Sequence, residues 1–265
     1  MEDNTIYNAE GTQLRKLQHR LYDMLVEFDT FCKDNNIKYT LEGGTALGAY
    51  RHKGFIPWDD DIDIAMDIKE YHRFCKLFKE NPTTNLRLQD NSTDSLYWNG
   101  FAKIRDTHSS FVEHGKQIVY KENGCFIDIF PLECAFPFLI GVYHLIHRPL
   151  FMLAKWPVHK CFFLKYLALL YFYLCRGVAV LFRFISKLCH CKAYSYSYGC
   201  NIYTFKWKYR KDIFEDVVYL PFEDGVFPAP GKIDEYLKIH YGKTYMELPP
   251  VELRIAHHTV SITGI

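Results

Sequence analysis

The chain has 265 residues, enough for one large domain or two small ones, and its 49% hydrophobic, 17% aromatic and 24% charged content excludes disordered and collagen-like classes. Its 32 Lys and Arg against 31 Asp and Glu leave a net charge of +1, which excludes nucleic-acid binding through a generally basic body. The balance is local, however: Cys134 to Lys211 holds twelve Lys and Arg and no acid, so that stretch is +12 and the remainder −11.

Leu14, Leu17, Leu21, Met24, Leu25 and Phe28 recur at spacings of three and four, which predicts a helix over 14–31 ending near Asn35 and Asn36. A short strand over 37–41 runs into Gly43 and Gly44, and 46–51 reads as a helix capped by Thr45. After a turn at 54–57, acid and aliphatic residues alternate over 61–66 as in a strand, and 68–78 returns to helical spacing. Strands follow at 101–105 and 125–130. This order predicts a mixed α+β sheet domain with flanking helices over roughly 12–133.

From 135 to 194 the aromatic, basic, acid-free pattern reads as two or three helices inserted into that domain or packed beside it. Lys155, Lys160, Lys165 and Arg176 cut its apolar runs short of the ~18 uncharged residues of a simple membrane span. Mixed charge returns after residue 205, and a helix carrying Ile233, Tyr236, Leu237 and His240 stops at Gly242. The expected organisation is a catalytic core at 1–133, a basic aromatic helical insertion at 134–199 and a segment at 200–265 that completes the catalytic domain. Nine cysteines without paired spacing, and a polar N-terminus without an apolar run, point to a reduced intracellular protein lacking a signal peptide.

The run Asp59, Asp60, Asp61, Ile62, Asp63 places four carboxylates within five residues. On a strand, Asp61 and Asp63 would share one face while Ile62 and Ile64 enter the core. Carboxylates so close repel, so their pKa values rise or a cation sits between them, and hard oxygen ligands suit Mg²⁺ or Mn²⁺. An acidic run in isolation is more often a solvated turn; here it follows Gly43, Gly44 and Thr45, a glycine turn at a helix start where amides can meet a phosphate. Asp128, flanked by isoleucines in CFIDIF, needs a cation or a hydrogen-bond donor if buried, and a salt bridge or a third metal-ligand role would each supply one. Lys103 and Arg105, on one strand face, can neutralise phosphate oxygens, and Arg51 follows the glycine turn by one helix.

The string LEGGTALGAYRHKGFIPWDDDIDIAM resembles the signature of the LicD family, and FAKIRDTHSSFVE, CFIDIFPLE, LPFEDGVFPAPGKIDEYLKIHYG and LPPVELRIAHH are similar to it as well. The likeness covers about 14–133 and 200–258. It implies a nucleotidyltransferase-like fold and transfer of a substituted phosphate, such as phosphocholine or ribitol phosphate, from a CDP-activated donor to a glycan. It further implies that Gly43, Gly44 and Thr45 form the nucleotide-phosphate loop, that Asp61 and Asp63 bind metal, that Asp128 is the third acid, and that Lys103 and Arg105 lie near the donor phosphates. A nucleotidyltransferase acting on a small molecule and a non-catalytic membrane-associated adaptor are the rival readings.

Trp58 reads as turn packing rather than a base-stacking platform, and His257 and His258 as either substrate-contacting or surface residues. The +12 segment, with Phe, Tyr, Trp and Leu between its cations, has the composition of helices that lie on an anionic membrane, although a helical subdomain with a basic outer face has it too. The expectation is a cytoplasmic, Mg²⁺-dependent (or Mn²⁺-dependent) phosphotransferase, peripheral on the inner face of the membrane, acting on a lipid-linked glycan acceptor.

Overall fold

A computed structural model describes residues 6–113, 120–200, 206–256 and 259–264; the expectation for His257 and His258 lies outside them. Helix α1 (Gln13–Asp34) starts where the Thr12 hydroxyl accepts the Arg15 N–H, and its three-and-four spacing buries Leu17, Leu21, Met24, Leu25, Phe28 and Cys32 along one stripe.

Strand β1 (Thr40–Leu41) keeps two residues of the expected five, and α2 (Gly43–Arg51) begins three residues earlier than predicted. Its cap position is Glu42, whose side chain makes no capping bond, so Thr45 is not the cap. The Thr45 hydroxyl instead accepts the Asp63 N–H at 2.9 Å, and the Glu42 N–H donates to the Asp63 carbonyl at 3.0 Å. Cross-strand demand for these groups overrides the local capping preference.

The main sheet takes β2 (Ile62–Asp67), β3 (Leu86–Gln89), β4 (Ala102–Asp106) and β6 (Phe126–Cys134) in the order β1-β2-β6-β4-β3, and α3 (Ile68–Glu80) connects β2 to β3. Strands β2 and β6 run parallel and the other pairings are antiparallel, which makes the sheet mixed and the fold α+β. Phe28 of α1 meets Phe74 of α3 at 5.3 Å between ring centroids, inside one core that also takes in Ile62, Ile64, Ile127 and Ile129.

The acid-free segment forms α4 (Pro137–Leu153) and α5 (Phe162–Leu188), after which β7 (Tyr194–Tyr196) pairs with the far end of β6 and continues the edge that β4 occupies. The two helices have a core of their own, in which Tyr143, Leu150, Phe172 and Cys175 meet Tyr97, Trp98 and Tyr198. The Arg183 guanidinium of α5 binds the Glu133 carboxylate of β6 at 3.0 Å and ties this layer to the sheet. Lys165 and Arg176 interrupt the apolar run in sequence, but both favour helix and fall on one side of it, so the helix continues and its apolar face stays unbroken. By length and composition alone, α5 can cross a membrane.

A hairpin of β8 (Val217–Phe222) and β9 (Gly225–Pro230), then α6 (Ile233–Tyr241), follow. Gly242 stops α6 at φ 90°, where a side chain would be strained. Strand β5 (Ser110–Glu113) pairs with β10 (Thr259–Thr263). Six of the strands, β3, β5 and β7 to β10, were not anticipated. Strands β3, β5 and β7 have only three or four residues, and β9 carries two prolines, so periodicity alone gives little signal.

Candidate functional site

Register brings the site together. Asp63 on β2 stands opposite Asp128 on β6, and Lys103 on β4 stands opposite Asp128. Successive side chains of a strand alternate faces, so Asp63, Asp128 and Lys103 form one cross-strand row while Ile62, Ile64, Ile104, Ile127 and Ile129 fill the core behind it. Lys103 Nζ lies 2.6 Å from Asp128 Oδ1 and 3.2 Å from the centre of the Phe126 ring. Both charged groups are buried, so the pair satisfies charges that neither could carry there alone.

Asp61 lies one residue before β2, and its charge is the largest of those acting on Asp63. Oxygens of Asp59, Asp60 and Asp61 lie within 4.8 Å of one another. Gln18 of α1 fixes this turn by donating to the Asp59 carbonyl at 2.9 Å. Glu42 enters from the start of α2 and accepts the Tyr236 hydroxyl at 2.8 Å, and that hydroxyl accepts the Gly43 N–H at 2.8 Å.

The carboxylates act on one another. Burial raises the Asp63 pKa well above the usual range, and the charges of Asp61, Glu42, Asp128 and Asp59 push the same way. Burial, then Asp61 and Asp128, push Glu42 up to about 8, with the Tyr236 hydrogen bond opposing. Asp59 is raised by burial and then by Asp61 and Asp60. The donors in this group are all carboxylate oxygens, and their protonation is the alternative to a bound positive charge. An all-oxygen, crowded acid set of this kind fits a hard divalent cation such as Mg²⁺ or Mn²⁺.

The glycine pair is explained by the same crowding. Gly43 has φ +51°, and a Cβ there would sit 3.1 Å from Asp63 Oδ2; a Cβ on Gly44 would sit 2.7 Å from Asp59 Oδ2. Glycine at both positions lets the start of α2 close onto the carboxylates, with the helix's positive end directed at them. Thr45 holds the Asp63 backbone.

Two of the expected phosphate-binding cations have other partners. Arg51, at the far end of α2, donates to the carbonyls of Tyr245 and Glu247 at 2.8 and 3.0 Å. Arg105, two residues along β4 from Lys103, is buried, donates to Gln89 Oε1 and the Gly124 carbonyl, each at 2.8 Å, and stacks on Phe126. Of the three cations, Lys103 is the one in the carboxylate row. Trp58 packs edge-on against Tyr7, with the Arg254 guanidinium 5.5 Å from its centre.

Sequence reasoning passed over Glu42, Asp59, Tyr236 and Tyr241 as site residues. Glu42 was visible as an acid wedged between an apolar strand and two glycines, and Asp59 as part of the acidic run. The two tyrosines lie almost two hundred residues from Glu42 in the chain, and only folding places them. The Tyr241 hydroxyl lies 3.8 Å from where a Gly43 Cβ would stand, on the side of Asp63; the ring is partly exposed, but desolvation of its hydroxyl end, and then the charges of Glu42, Asp59, Asp63 and Asp61, raise its pKa.

A mixed sheet with aspartates on adjacent parallel strands, closed by a glycine-led helix, defines an α+β domain built around a carboxylate centre. The family described as LicD/FKTN/FKRP, nucleotidyltransferase domain, matches residues 36–170, which include β1, α2 and every member of the carboxylate row. The chain is 30% identical to the lipopolysaccharide cholinephosphotransferase LicD of Haemophilus influenzae over 92% of its own length and 96% of that protein's. This chain belongs to the LicD family. Shorter similarities reach an uncharacterised protein of Rickettsia typhi, 37% identical over 27% of this chain and 23% of the relative, and one of Rickettsia prowazekii, 50% identical over 17% of each.

Proposed function

We propose that this protein is a phosphotransferase that moves a substituted phosphate, such as phosphocholine, from a CDP-linked donor onto a surface glycan. The observation that carries this reading is the shared register of Asp63, Asp128 and Lys103, with Asp61 and Glu42 converging on the same point, in a chain similar along nearly its whole length to a lipopolysaccharide cholinephosphotransferase.

Asp61, Asp63 and Asp128 would hold Mg²⁺ or Mn²⁺, which when bound neutralises phosphoryl oxygens. The remaining contributions come from the chain itself. Lys103 fixes the Asp128 carboxylate, and its ammonium adds positive charge to a row that otherwise repels a phosphate. Thr45 and the Glu42 N–H clamp both sides of the Asp63 peptide, so the Asp63 side chain keeps its direction. Tyr236 orients Glu42 and occupies the Gly43 N–H.

The acceptor hydroxyl attacks the distal phosphorus and its proton passes to Asp128. A new P–O bond forms to the glycan, and the bond from that phosphorus to the bridging oxygen breaks, releasing CMP. Incubation with CDP-choline, CDP-ribitol or CDP-glycerol and a glycan acceptor is expected to yield CMP. Pyrophosphate formed from CTP or ATP, with no CMP from the CDP donors, would instead establish a nucleotidyltransferase.

A further inference from the structure

Eleven large apolar side chains of α5, from Phe162 to Leu188, are 50% to 77% exposed, and they run the full length of a helix of roughly 40 Å. Single exposed apolar residues are ordinary, but a continuous stripe of this length marks a surface made to meet something apolar. The opposite face is already occupied, since Ala168, Phe172, Cys175 and Ala179 are buried at spacings of three and four. Every charge on α5 lies between these two faces: Lys165, Arg176, Arg183 and Lys187 follow at intervals of 11, 7 and 4 residues, which returns each to the same flank. On α4, Phe138, Leu145 and Met152 recur at sevens and are exposed, with Trp156 just beyond.

We infer that the α4–α5 layer docks on an anionic lipid bilayer, with α5 lying along the surface and its apolar stripe in the acyl boundary. Charge complementarity selects this occupant. Residues 134–211 contain no acid, Arg148, Lys155, Lys160, Arg176, Lys187 and Lys192 are exposed, and helical spacing puts Arg176 and Lys187 along the border of the stripe, where lipid phosphates would meet them. A second copy of the chain would bring the same uncompensated positive charge to the same face. The orientation follows from packing: the inner face of α5 is committed to α4, and Arg183 to Glu133 of the sheet, so crossing the bilayer would require breaking those contacts. The inference stands on these helices alone and is independent of the reaction proposed above.

The test uses the full chain with vesicles of phosphatidylcholine alone or mixed with phosphatidylglycerol. Binding is expected to the mixed vesicles and to weaken with salt. A variant combining Leu170→Glu, Leu174→Glu and Leu181→Glu, all at exposed positions, should bind at least about ten-fold more weakly with an unchanged thermal midpoint. Cys161 and Cys189, exposed at the two ends of α5, report the orientation. Reaction of both with an impermeant thiol reagent added outside the vesicles supports surface docking, whereas reaction of one of them only after permeabilisation means that the helix crosses. The wild-type measurement does not depend on whether the variant folds. Equal partition onto neutral and anionic vesicles, no vesicle binding, or lipid-free dimerisation abolished by the Leu→Glu changes would each overturn the proposal.

Discussion

The carboxylate end of the sheet and the α4–α5 layer handle charge in opposite ways. Glu42, Asp59, Asp61, Asp63 and Asp128 are crowded at one place, where burial and mutual repulsion raise the pKa values of Glu42, Asp59 and Asp63. The helical layer spreads its cations out, four of them along one flank of α5, and leaves apolar surface outside. The first region is built for a small, highly charged ligand and the second for an extended interface. The contrast shows that a net charge of +1 describes neither half of the molecule.

The largest expected effect falls on the acids. Asp61→Asn and Asp63→Asn should each lower transferase turnover by at least ~10²-fold, as loss of a single pre-positioned electrostatic contact does elsewhere. The same substitutions should leave the metal-free thermal midpoint unchanged or higher, because they remove a repelling charge. A midpoint that drops sharply would mean that these aspartates are structural.

Lys103→Met sharpens the comparison from the other side, since it removes the ammonium 2.6 Å from the buried Asp128 carboxylate, which stands opposite Asp63. A loss of roughly 3 to 5 kcal/mol in denaturant unfolding is expected. The exposed Lys187→Met on α5 should change stability by less than ~0.5 kcal/mol.

The two regions should also respond oppositely to pH. Glu42 has a folded pKa near 8, above its ordinary value, so the folded state holds a proton that the unfolded state releases. Stability from that source is complete at low pH and is lost as pH rises towards 8. Metal-free protein should therefore lose thermal midpoint between pH 6.5 and 8, and Glu42→Gln should flatten that fall. His147, buried in the helical layer, is pushed down to about 4 by burial, so the unfolded state takes the proton first and stability is lost as pH falls below 6.5. His147→Phe should lessen the loss at pH 5 by about 1 to 2 kcal/mol, with little change at pH 7.5.

Legibility in the sequence differed between the regions for physical reasons. The alternation around Asp63 and Asp128 is local, so both strands were readable, and strand register then placed the two acids opposite each other. Glu42 and Asp59 lay in readable strings, but their membership in the cluster depends on the start of α2 and the turn before β2. Tyr236 and Tyr241 join it only through the packing of α6. Thr45 was misplaced as a cap because the Asp63 amide, distant in sequence, competes for its hydroxyl. In the helical layer, counting uncharged runs divided what folds as a single 27-residue helix, because a linear count does not register that its four charges share one flank.

The central claim is that these carboxylates jointly hold a divalent cation. Titration of the metal-free protein with Mn²⁺, followed by the electron paramagnetic resonance signal of the free ion, tests it without any substrate. Saturable binding that Mg²⁺ displaces, and that Asp61→Asn and Asp63→Asn each abolish, is the predicted result. Unchanged binding in both variants, or no binding by the native chain, would contradict it.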